Sequence, residues 1–142
     1  MKAGFTLVEI LIVVVILGIL AAIVIPQFTE ASSDAKLSSL TTDLQTVRAQ
    51  LELYKIQHND NLPDYTSSDT FWTGLSTKTD VYGNAGSDYG PYLQKAPTNP
   101  FNDSNSVDID GTLGGGDTAG TGWHLNSSNG QFHADTDAHI GY

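Results

Sequence analysis

Six aspartates towards the end of the chain, Asp103, Asp108, Asp110, Asp117, Asp135 and Asp137, offer hard carboxylate oxygens of the kind Ca2+ takes up. Their spacing is not that of an EF-hand, so a calcium site competes with the plainer reading of a solvated acidic surface. His124, His133 and His139, with Asp135 and Asp137, are the residue types of a transition-metal site, but the spacing defines no third ligand. There is no glycine-framed serine elbow and no cysteine nucleophile, and the carboxylates define no acid–base pair. No enzymatic activity is expected. The glycine-rich stretch Gly111–Gly122 lacks a P-loop lysine and a following helix, so it reads as an exposed loop and not a phosphate cradle.

One further carboxylate stands out by its surroundings. From Phe5 to Ile25 the only charged residue is Glu9, and a helix of that length at about 1.5 Å per residue spans roughly 31 Å, the thickness of a bilayer's hydrocarbon core. The run is too long for a strand and has no internal turn, so a membrane helix is predicted over residues 5–26. A carboxylate there costs about 2.5–3.5 kcal/mol on insertion scales. Glu9 therefore either snorkels to the interface or awaits a cation from elsewhere. Gly18 and Pro26 are the weak points of this helix, with a kink expected near Ile25.

Gly4-Phe5-Thr6-Leu7-Val8-Glu9, the apolar run and Pro26 together resemble the processing and methylation signature of type IV pilins and type II secretion pseudopilins. The resemblance implies a prepilin peptidase that cuts between Gly4 and Phe5 and methylates Phe5. It also implies that Glu9 pairs with the terminal amine of a neighbouring subunit, and that Gly18–Pro26 can lose helicity as subunits pack. Physically the pairing is sound, since charges in an apolar filament core must neutralise one another. The alternative, a secretory signal cut near Ala31, fits poorly with a run that passes straight into a second helix.

With 142 residues and a formal net charge of -10, the chain has room for one membrane helix and one small domain, and its sparse lysines and arginines argue against a nucleic-acid face. Lys2, the one basic residue before the apolar run, fits a cytoplasmic N-terminus. There is no cysteine, so no disulfide is available, which favours the pseudopilin branch over pilins with a disulfide-closed loop.

Beyond Pro26 the pattern turns amphipathic. Leu37, Leu40, Leu44, Val47, Leu51 and Tyr54 recur at steps of three and four, and Leu53 and Ile56 are expected to widen this face towards the helix end. Asn59, Asp60, Asn61 and Pro63 should stop the helix. Ser68 or Asp69 is expected to cap a short helix carrying Phe71, Trp72 and Leu75 on one side. Gly90–Phe101, GPYLQKAPTNPF, resembles a stretch of the G-type major pseudopilins. Its prolines should hold it extended, with Tyr92, Leu93 and Phe101 plugging the space between helix and sheet.

Val107–Asp110, Trp123–Asn126 and Gln131–Asp135 alternate as short antiparallel strands, with a hairpin turn at Ser127–Gly130. Trp123, Leu125, Phe132 and Ala134 should face the core, leaving His124 and His133 as outward cross-strand neighbours.

The fold expected is α+β and pilin-like: a leader (1–4), a membrane and filament-core helix (5–26), an amphipathic helix (27–60) and a connector with a small antiparallel sheet (61–142). The resemblance implies a filament subunit, most simply a major pseudopilin of a type II secretion-type system. Its partners would be copies of itself, minor pilins or pseudopilins, the prepilin peptidase, an inner-membrane assembly platform with its ATPase, and membrane lipid before assembly. The precursor would sit in the bacterial inner membrane with its head outside the cytoplasm, and the product in a periplasmic pseudopilus. Two alternatives stand beside it: a surface pilin for adhesion, motility or DNA uptake, and a membrane-tethered protein that binds a cation or ligand and never polymerises.

Overall fold

The computed structural model describes residues 4–110, 120–136 and 139. Among them run α1 (Leu7–Gln57), α2 (Ser68–Ser76), β1 (Val107–Asp110), β2 (Trp123–Asn126) and β3 (Phe132–Ala134). They fall into two units, one ending at Lys36 and the other beginning at Leu37.

The first unit holds the start of α1. Every large apolar side chain from Phe5 to Phe28 is exposed. With a mean hydropathy of 3.3 over its most apolar 18 residues, α1 is long and apolar enough to cross a membrane. The helix passes Pro26 without interruption, so Gly18–Pro26 is formed in the single chain.

The second unit builds the core. Along α1, Leu40, Leu44, Val47, Leu51 and Tyr54 are buried and Leu37 is half-buried, as the periodicity predicts. Leu53 and Ile56 do not join them and are 41% and 79% exposed. At about 100° per residue both project away from the stripe that ends in Tyr54. Asn59 and Asp60 close the helix with φ of 55° and 65°, the left-handed region that asparagine and aspartate tolerate.

The cap of α2 is Ser67, one residue earlier than expected. Its side chain accepts from the Thr70 N–H while the Thr70 side chain accepts from the Ser67 N–H. Ser68 is used elsewhere: its hydroxyl accepts from the Val107 N–H at 3.0 Å, tying α2 to β1. Phe71, Trp72 and Leu75 are buried on one side of α2. In the connector Pro91 follows a cis peptide bond, and Tyr92, Leu93 and Phe101 pack against the core.

The sheet has the order β1-β2-β3, and it is mixed where antiparallel pairing was expected throughout. β2 and β3 form the antiparallel hairpin, but β1 pairs with β2 in parallel, Val107 beside Trp123 and Asp110 beside Asn126. A parallel neighbour needs a connection of about a dozen residues or more, and 111–122 is long enough to return the chain to the same end of the sheet. As the central strand, β2 is buried on both faces. The outward position expected for His124 is therefore wrong: this residue is 1% exposed. In the hairpin turn only Gly130 adopts positive φ, at 76°.

Candidate functional site

The sequence Thr6-Leu7-Val8-Glu9 starts α1 with a reciprocal cap. Thr6 donates its N–H and its hydroxyl to Glu9 Oε2 at 2.9 and 2.8 Å, and the Glu9 N–H donates to the Thr6 hydroxyl at 3.3 Å. This is the S/T-x-x-E pattern, legible in the sequence but overlooked there. Glu9 is thus held in place by its own helix, and the partial positive charge of the helix start favours its carboxylate. Gly4 and Phe5 precede the cap, and Phe5 is 83% exposed. A built Cβ on Gly4 would meet nothing within 4 Å. The arrangement presents an accessible backbone on one side of the cap and an unburied apolar helix on the other.

The aspartates predicted as a calcium group separate. Asp103 sits exposed in a turn with φ of 54°. Asp135 is fully buried and accepts from the Thr121 hydroxyl. Asp117 and Asp137 lie outside the described residues. Among the described residues, Asp108 and Asp110 come together with His124. Of the histidines, His124 and His133 are register partners across β2 and β3, as expected. His139 instead stacks on Phe101 with ring centroids 3.9 Å apart.

Sequence reasoning also passed over His58, which is 1% exposed. Its Nδ1 donates to the Tyr54 carbonyl at 2.8 Å, so Nε2 is left to accept from the Thr79 hydroxyl at 2.9 Å. Stacked on Tyr54 at 3.7 Å, it pins the end of α1 to the connector. Asn99, wholly buried, acts likewise: it accepts from the Phe101 N–H and donates to the Gly122 carbonyl.

Comparisons with known proteins agree with the helix start. A model of the prokaryotic N-terminal methylation motif matches residues 1–25. Type II secretion system core protein G of Pseudomonas aeruginosa is 34% identical, over 99% of this chain and 94% of its own length. The chain belongs to the pilin-like family of type II secretion core protein G. A second member, core protein G of Klebsiella michiganensis, is 30% identical over 70% of this chain and 68% of its own. The type IV narrow pilus major component PilA5 of Thermus thermophilus is 31% identical over 60% of this chain and 81% of its own. No solved structure matches. Family membership accounts for an apolar helix start whose large side chains are exposed. It also agrees with anchoring in a membrane.

Proposed function

We propose that the chain is a structural subunit of a type IV pilus-like filament, specifically a major pseudopilin of a type II secretion-type system. The observation that carries this reading is the first unit of α1: a run of large apolar side chains, all exposed, that starts at a capped glutamate. Such a surface is stable in only two settings, lipid or a bundle of like helices. A subunit that moves from the first to the second uses both.

The steps are those that the family resemblance implies. The helix holds the precursor in the inner membrane, and a prepilin peptidase cleaves between Gly4 and Phe5 and methylates Phe5. The new amine neutralises Glu9 of a neighbouring subunit, and an assembly platform with its ATPase supplies the work. The filament stands in the periplasm, with minor pseudopilins as partners. The part of the chain from Leu37 onward forms the head and has a packing role, not a catalytic one. The likeness to PilA5 supports a second reading, the same assembly as a surface pilus.

The intact mass and N-terminal sequence of the protein isolated from its cells test the proposal. A chain that starts at Phe5 and carries one extra methyl group is expected. A chain starting at Met1, or beyond Pro26, overturns it.

A further inference from the structure

Arg48 is a cation without a carboxylate. It lies half-buried on α1, and its Nε donates to the Phe132 carbonyl at 2.8 Å, which ties the guanidinium to β3. Among the described residues no aspartate or glutamate forms an ion pair with it, although the chain has 16 of them against 6 lysines and arginines. Glu52, one turn further along α1, pairs with Lys55 at 3.4 Å. A guanidinium bonded through Nε keeps its two Nη groups, whose N–H bonds can reach both oxygens of one carboxylate.

Arg48 lines a cavity of about 400 Å³ together with Glu52, Asn129, Gln131 and the apolar Leu51 and Phe132. The hairpin turn orients a second donor there. The Gln131 N–H donates to Asn129 Oδ1 at 2.9 Å, so the other end of that amide, Nδ2, donates to Gln131 Oε1 at 3.1 Å. Gln131 Nε2 is thereby left as a donor. Two oriented donors, one of them charged, suit a singly charged oxyacid and not a cation.

We propose that this cavity receives an aspartate or glutamate side chain from a neighbouring copy of the chain. The inference rests on the filament reading and adds a contact between heads to it. Copies that each carry a formal net charge of -10 repel one another unless cations meet carboxylates across the interface. Asp64, Asp69 and Asp88 are exposed and take part in no ion pair among the described residues, so each copy also offers what the cavity takes. None of the three lines the cavity. The contact is therefore heterologous, between two different patches, and can propagate from copy to copy.

The test pellets filaments of the full chain after exposure to rising NaCl and measures the subunits released, with Tm as the control for folding. Wild-type filaments should shed subunits as salt rises, and sodium acetate should release more than NaCl at equal ionic strength because it competes for the guanidinium. Arg48→Gln should release about tenfold more than wild type at low salt. Gln131→Glu should do the same, because it supplies Arg48 with a carboxylate from its own chain. It leaves the bond from Arg48 to the Phe132 carbonyl in place, so it carries the test if Arg48→Gln lowers Tm. Lys78→Gln, which removes the same charge from an exposed lysine elsewhere, should behave as wild type. Gln131→Glu filaments as salt-resistant as wild type, or an equal loss in Lys78→Gln, overturn the proposal and leave the filament reading intact. Acetate binding to the unassembled chain, with filaments indifferent to both cavity variants, assigns the cavity to a free carboxylate and also overturns it. A wild-type chain that forms no filament overturns both.

Discussion

Thr6 donates both its backbone N–H and its hydroxyl to a single oxygen of Glu9, so the one acid of the apolar helix is engaged before any second subunit arrives. The cap holds the carboxylate at the helix start, next to the residue whose amine the proposed cleavage would free. A neighbouring amine therefore meets a preorganised acceptor, not a freely rotating side chain. It adds to the cap or displaces the Thr6 hydroxyl from it.

Removing that acceptor should stop assembly. Glu9→Ala leaves an incoming amine unpaired in an apolar core, at a cost of about 3–5 kcal/mol for each broken pair. Filaments viewed by electron microscopy should be lost, while the Tm of the part from Leu37 onward, a separate unit, stays unchanged. Normal filaments from this variant would refute the pairing.

The Thr6 hydroxyl can be tested apart from Glu9. Thr6→Val should lose about 1 kcal/mol of cap stability, and Thr6→Ser should retain it. Hydrogen exchange over Leu7–Leu11 in micelles should quicken in the valine variant alone, without abolishing assembly. Equal protection in both variants would show that the hydroxyl contributes nothing.

Two glycines should respond oppositely to alanine. A Cβ at Gly122 would lie 2.1 Å from the Ser104 carbonyl oxygen and 3.1 Å from the Asn99 Cβ, so Gly122→Ala must shift backbone and should destabilise by about 1–3 kcal/mol or more. At Gly18 a Cβ meets nothing within 4 Å, and Gly18→Ala should firm the helix by about 1 kcal/mol. Tm reports the first and hydrogen exchange the second. If Gly18→Ala nevertheless impairs filaments, the space above that glycine is filled by another subunit.

Burial raises the Asp43 carboxyl above its ordinary value, and the positive charge of Lys95 only partly opposes this. A raised carboxyl pKa means that the folded chain holds the proton more tightly than the unfolded one. The charged form therefore detracts from stability above the folded pKa, and that loss disappears as pH falls through the carboxylate range. Asp43→Asn should raise Tm at neutral pH and make little difference near pH 3. An equal gain at both pH values would exclude the charge as the cause.

The chain order of residue types was enough for everything that depends on local periodicity. The all-apolar run specifies a helix that needs lipid or other helices. The Leu40–Tyr54 stripe names the core face, and Asn59-Asp60 its end. Strand positions followed from alternation, with Val107–Asp110 and Trp123–Asn126 found as expected. The Thr6–Glu9 cap was equally local and could have been read from its spacing.

Tertiary structure decided what depends on partners distant in sequence. Alternation assigns a residue to a face but gives no direction to the neighbouring strand. The parallel β1–β2 pair and the meeting of Asp108 and Asp110 with a buried His124 were therefore invisible in one dimension. Burial of His58 and Asn99 follows for the same reason, whereas the exposure of Leu53 and Ile56 was readable from the 100° step of the helix. Hydrophobicity states what a side chain prefers, and only the packed neighbours settle whether there is room to satisfy it.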